Sequence, residues 1–288
     1  RVFSMRFCRF DDNRLGVVTG DEVRDVTAVL DYLPPLSWPV PPGDHFFNHF
    51  DVLRPLMEEA AQRVSPRPLS TVRLLSPVAN PGKIVAAPVN YKLHLDESRA
   101  DTQINFGSQV KTIDDYGVFL KAPSSLIGAG QEVVADWPDR RIDHEVELAL
   151  VIGKKGFRIS EADALDYVAG YMIGLDMTIR GTEDRSFRKS LDTFTVLGPW
   201  VVTADEIADP GHLDLEISVG DELRQKSTTS LLIWGVARLI AYASKAYTLY
   251  PGDVIMTGTP EGVAPVKPGD TMRASIEGIG EMLVKVRG

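Results

Sequence analysis

The chain has 288 residues, 44% hydrophobic and 25% charged, which is ordinary globular usage with room for one large domain or a small domain beside a larger one. A formal net charge of -9 argues against nucleic acid or an anionic membrane as a general partner, and no uninterrupted apolar stretch is long enough to cross a bilayer. Cys8 is the only cysteine, which excludes an internal disulfide and disfavours a thiolate metal site.

Taken along the chain, Val2 to about Val29 alternates apolar and polar residues between turn signals, predicting a small meander of short strands. Pro34 to Pro42 can be neither helix interior nor central strand. Phe46 to Val64 carries apolar residues at helical spacing, and Ser65-Pro-Arg-Pro68 ends that helix. A boundary near residues 65–78 divides a small N-terminal α/β module, 1–75, from a main domain, 76–288. From Lys83 onward short strands are punctuated by Gly and Pro. Ser160-Glu-Ala-Asp163 resembles a capping box and predicts a helix through about Ala169. Thr229-Ser230 predicts another from Leu231 to about Lys245. Pro-Gly-Asp at 251–253 and at 268–270 predicts tight turns, each leading into an apolar strand. Without a regular strand–helix rhythm, the expected fold class is α+β and β-rich, with mixed strands rolled or barrel-like and helices at the periphery. No signal-peptide pattern opens the sequence and no Asn-x-Ser/Thr acceptor occurs, so a cytoplasmic location is expected; Arg1 in place of Met suggests trimming.

Charges inside apolar runs carry the chemistry. Glu145-Val-Glu147-Leu-Ala-Leu-Val-Ile152 reads as a buried strand, and residues two apart on a strand share a face. Asp176 repeats the anomaly in Tyr-Met-Ile-Gly-Leu-Asp176-Met-Thr-Ile. Burying unpaired carboxylates costs several kcal/mol each, so a cation must face them. That cation is either an Arg or Lys from a neighbouring strand or a hard divalent ion, Mg²⁺ or Mn²⁺, for which an all-oxygen set without nearby His or Cys is suited. His94 and Glu97, spaced i and i+3, share a helical face and can polarise a water; the plain alternative is a solvated helix start. Lys121 lies in another apolar strand, as a buried charge or as a snorkelling side chain. Arg180 and Lys189 bring further cations close after Asp176. Thr257-Gly-Thr259-Pro-Glu-Gly262 is a strand end running into a turn whose hydroxyls and N–H groups suit a carboxylate. The segment from Ser98 to Tyr116 is polar and follows His94 and Glu97, so it is either a lid over substrate or a flexible surface loop. There is no Walker loop, no dinucleotide glycine motif, no nucleophile elbow and no H-E-x-x-H. Phosphoryl transfer would need a phosphate cradle that is absent, and a binding protein with a structural cation would not need Lys121, His94 and Glu97 together.

From about Lys83 to the C-terminus these pieces occur in an order that resembles the fumarylacetoacetate hydrolase family: Asn90-Tyr-x-x-His94-x-x-Glu97, Leu120-Lys121, Asp143-x-Glu145-x-Glu147, Gly174-x-Asp176, Arg180, Lys189-Ser-x-Asp192-Thr-Phe194, Leu197-Gly-Pro199 and Thr257-Gly-Thr-Pro-x-Gly-Val263. The resemblance, on the acylpyruvase or 2-hydroxyhepta-2,4-diene-1,7-dioate isomerase-like side, implies a mixed β-roll, commonly a homodimer, often with a small N-terminal domain. It implies Mg²⁺ or Mn²⁺ on Glu145, Glu147 and Asp176, with His94, Glu97 and Lys121 catalytic and Asn90, Tyr91, Arg180, Lys189 and Thr259 around a 2-oxo acid. Hydrolysis of a C–C bond in a 2,4-dioxo acid is the implied reaction, with decarboxylation or isomerisation at the same site as the alternatives. Two departures adjoin the pocket: Pro88-Val89 stands where many relatives have Gly-Arg, and Gly181 where many have Asp.

Overall fold

Three long apolar runs form the centre of the molecule because none of them has a polar face to give to water. In the computed structural model, which describes residues 4–288, strands Val146–Ile152, Val168–Asp176 and Thr195–Thr203 lie side by side and antiparallel. Every residue of Val146–Ile152 is buried. Its alternate side chains divide between two cores: Leu148, Leu150 and Ile152 face one, Ala149 and Val151 the other. The first core is closed by helix Val236–Ala246, through Leu239, Ile240 and Ala243, and by a five-stranded sheet that includes Asp214–Val219 and Thr271–Ile276. The second is closed by helix Phe50–Arg63 through Phe50, Leu53 and Met57. Full burial of such side chains contributes about 1.5–3 kcal/mol each.

The sheet extends both ways. On one side Val254–Met256 pairs with Val146–Ile152, followed by Ile84–Ala86 and then Phe119–Lys121. On the other, the meander Arg6–Phe10, Arg14–Thr19 and Glu22–Asp25 joins directly, with Arg6 opposite Val202 and Phe7 opposite Val201. The fold is therefore the expected β-rich mixed architecture with peripheral helices; residues 1–3, where the meander was expected to begin, lie outside the described residues. Both Pro-Gly-Asp turns precede strands, Val254–Met256 and Thr271–Ile276.

Three predicted helices need correction. The Phe46–Val64 run is two helices, His45–Asn48 and Phe50–Arg63, separated at His49. After Ser160 the capping contacts do form, with Ser160 Oγ 2.7 Å from Asp163 Oδ2, yet only a short 3-10 turn, Ala164–Tyr167, follows. From Val168 the chain joins the central sheet, and its burial there overrides local helix signals. The third helix starts at Val236, not Leu231. The stretch before it is held extended: Leu232 bridges Tyr91, and the Trp234 N–H donates to Asn90 Oδ1 at 2.7 Å.

Candidate metal centre and active-site cavity

Antiparallel pairing sets Val146 opposite Leu175 and Glu147 opposite Gly174, so the start of one central strand meets the end of the next. Glu145, just ahead of that strand, and Asp176, at the end of its neighbour, are thereby brought beside Glu147; one carboxylate oxygen from each lies within 4.8 Å of the others, and all three groups are buried.

Their surroundings are unequal. Glu145 accepts from Arg180 Nη2 at 2.9 Å and from Lys189 Nζ at 2.7 Å. Burial would raise its pKa, but Lys189 and Arg180 outweigh burial and hold the carboxyl far below the usual range. Asp176 receives Lys189 Nζ at 2.7 Å and also Lys121 Nζ, which donates in addition to the Phe194 carbonyl at 2.8 Å. Lys189 spends its third donor on Thr178 Oγ1 at 2.7 Å. Glu147 has no cationic side-chain partner among the described residues; it accepts only from the Gly258 N–H, at 2.9 Å. Burial, then Asp176 and Glu145, push its pKa well above 4.5. The pairing with Lys and Arg expected as the plain alternative thus exists for two of the carboxylates and fails for the third. A hard divalent cation fits this all-carboxylate set, because it supplies the charge Glu147 lacks.

The turn after Val254–Met256 wraps the triad. Gly258 has φ +106°, and a Cβ there would lie 2.7 Å from that of Asn90, so glycine alone brings its N–H onto Glu147 without strain. Thr259 Oγ1 accepts from Gln225 Nε2 at 2.8 Å, while Gln225 Oε1 holds the Val146 N–H at 3.1 Å and pairs with His144 Nδ1 at 2.9 Å. Glu97 Oε1 accepts from the Gly262 N–H at 3.0 Å, and its other oxygen meets His94 Nδ1 at 2.9 Å. The predicted pair forms, and it pins helix Lys92–Ala100 to the turn.

A cavity of ≈ 170 Å³ opens here, lined by His94, Glu145, Arg180, Lys189 and Thr259 among others. Residues Ala87, Pro88 and Val89 form an apolar wall, with Val89 at φ +42°, a strained conformation for a β-branched residue costing about 1–3 kcal/mol. Asn105, Phe106 and Tyr116, from the segment expected to be lid or loop, form the roof with Arg185 and Arg188 facing the same space. Asn90 and Tyr91, expected around the substrate, and Lys121, expected to be catalytic, are not among the residues that line the cavity. Asn90 bonds only backbone, the Trp234 and Thr257 carbonyls at 2.9 and 2.8 Å and the Trp234 N–H. Tyr91 is buried, its hydroxyl without a partner among the described residues. Lys121 is buried against Asp176, and Lys189 is the lysine that lines the cavity. At the Gly181 departure the space a Cβ would take is filled by the side-chain ends of Arg140 and Glu183, which are paired at 2.9 Å and flexible enough to shift, so nothing in the structure requires glycine there. Sequence reasoning missed Gln225 and Arg188, since neither interrupts an apolar run.

A sheet-borne carboxylate triad flanked by two lysines and a His–Glu pair defines an enzyme of the divalent-metal class. The family model for the fumarylacetoacetate hydrolase C-terminal region matches residues 83–287, and the chain belongs to that family. It is 55% identical over 285 residues to the maleylpyruvate hydrolase of Aquipseudomonas alcaligenes, covering 98% of this chain and 99% of that one. It shares 38% identity over 232 residues with the mitochondrial oxaloacetate tautomerase FAHD2A of Homo sapiens, 76% of this chain and 71% of the other. The crystal structure of maleylpyruvate hydrolase from Sphingobium sp. SYK-6 with manganese(II) and pyruvate superposes with TM-score 0.83 at 43% identity, over 98% of this chain and 99% of that one.

Proposed function

We propose that the chain hydrolyses an acylpyruvate of the maleylpyruvate type, splitting a C–C bond to give pyruvate and a carboxylic acid, with Mn²⁺ or Mg²⁺ held by Glu145, Glu147 and Asp176. The full-length kinship with maleylpyruvate hydrolases carries this reading. A divalent cation on the triad would supply Lewis-acid polarisation of the 2-oxo carboxylate and a template for its head.

This chain's own residues account for the other steps. Thr259 Oγ1 is already an acceptor for Gln225, so its own proton is left to bind the substrate carboxylate. His94 holds Glu97 through Nδ1, which leaves Nε2 to take a proton from water. The water oxygen adds to the distal carbonyl carbon, the bond from that carbon to the methylene breaks, and the electron pair moves into the 2-oxo group as an enolate. Lys189, in the cavity wall, sets positive charge against the enolate. A proton returned to the methylene carbon completes pyruvate, and the acyl fragment leaves as a carboxylate.

The His94–Glu97 pair favours this chemistry over tautomerisation or decarboxylation of oxaloacetate, neither of which uses an attacking water. His94→Ala should lower acylpyruvate hydrolysis roughly 10²–10⁴-fold while sparing Mn²⁺ affinity and any oxaloacetate decarboxylation. Equal loss of both activities would sink that division of labour.

A further inference from the structure

Arg188 ends the short helix Arg185–Arg188 and lines the cavity, and it forms no ion pair among the described residues. The acids near it are already engaged, Glu145 with Arg180 and Lys189. Glu183 is paired with Arg140 through both oxygens, at 3.0 and 2.9 Å, and Asp184 caps the helix on the Ser186 N–H at 2.8 Å. Arg188 Nε donates to the Glu183 carbonyl at 2.8 Å, which fixes the side chain, and no hydrogen bond from its two terminal nitrogens is found among the described residues. Its neighbour Arg185 differs, lying over the rings of Tyr116 at 4.7 Å and Phe119 at 5.5 Å. Burial, then Arg180 and Arg185, press the Arg188 guanidinium below its usual pKa, and Glu145 and Glu183 offset them only in part.

Resting on the acylpyruvate reading, we propose that Arg188 is a specificity residue: its free guanidinium edge binds a second carboxylate at the distal end of the substrate's acyl group, selecting dicarboxylic over monocarboxylic acylpyruvates. The triad and Thr259 take the 2-oxo carboxylate head, and the apolar wall of Ala87–Val89 accompanies the carbon chain between the two ends. A planar fork of two N–H donors matches a carboxylate and discriminates strongly against a methyl, which would leave that charge buried and unpaired.

The test is calorimetric binding to the Mn²⁺-loaded protein of two non-hydrolysable seven-carbon ligands, 2-oxoheptanedioate and 2-oxoheptanoate. Wild type should bind the dicarboxylate roughly 10- to 100-fold more tightly. Arg188→Gln should lose that preference while binding 2-oxoheptanoate within about threefold of wild type, and Arg188→Lys should recover part of it. Equal binding of both ligands by wild type, or a preference that survives in Arg188→Gln, overturns the proposal. A preference that behaves as stated in a protein releasing no pyruvate from maleylpyruvate would uphold the role of Arg188 and remove only the hydrolase reading.

Discussion

Lys189 holds two metal-site carboxylates at once and leaves the third to the backbone. The imbalance makes Glu147 the residue whose protonation reports on the site. Because its pKa in the folded chain is raised above the ordinary 4.5, its contribution to stability is intact below that value and lost as pH rises through the folded value. Metal-free Glu147→Gln should therefore gain in Tm over metal-free wild type as pH climbs from the acid range to neutrality. Melting curves in EDTA across that range check this, and a gap that narrows with rising pH would contradict it. The same variant should bind Mn²⁺ at least about 100-fold more weakly, since even outer-shell losses cost 10–100-fold.

At the scale of elements, the turn from Thr257 to Val263 holds Glu147 through Gly258, Glu97 through Gly262 and Gln225 through Thr259. Gly258→Ala, at φ +106° and against Asn90, should destabilise the fold by about 1–3 kcal/mol and weaken Mn²⁺ binding together, read by denaturant unfolding and metal titration. Loss of stability with intact affinity would show that the turn does not position Glu147. A second element effect runs from the roof: Asp101 pairs with Arg141 at 3.0 Å, Arg141 with Asp143 at 2.7 Å, Asp143 with Arg180 at 2.9 Å, and Arg180 with Glu145. Asp101→Asn keeps the Asp101 cap on Gln103 but breaks the first link. Steady-state kinetics should show KM raised a few-fold at near-constant kcat, as a half-exposed ion pair permits; a fall in kcat alone would contradict a roof that acts on binding.

Across the whole molecule, what could be read ahead of the structure follows from energetic cost. Carboxylates at 145, 147 and 176 stood out because charge inside an apolar strand demands compensation, and His94 with Glu97 because helical spacing is local. Gln225 lies on strand Glu222–Thr228 of a different sheet, 80 positions from Glu145 along the chain, and nothing in that largely polar strand marks it. The helix expected after Ser160 failed because a cap is a local bond, whereas the strand from Val168 is bought by two buried faces. Among the described residues no helix is long and apolar enough to cross a membrane.

The central claim is tested most directly by pyruvate release from maleylpyruvate, measured on the protein as prepared, after EDTA, and after Mn²⁺ is added back. The account predicts release that EDTA abolishes and Mn²⁺ restores. Release that persists unchanged in EDTA-stripped protein, or none from the Mn²⁺-loaded protein, would contradict it.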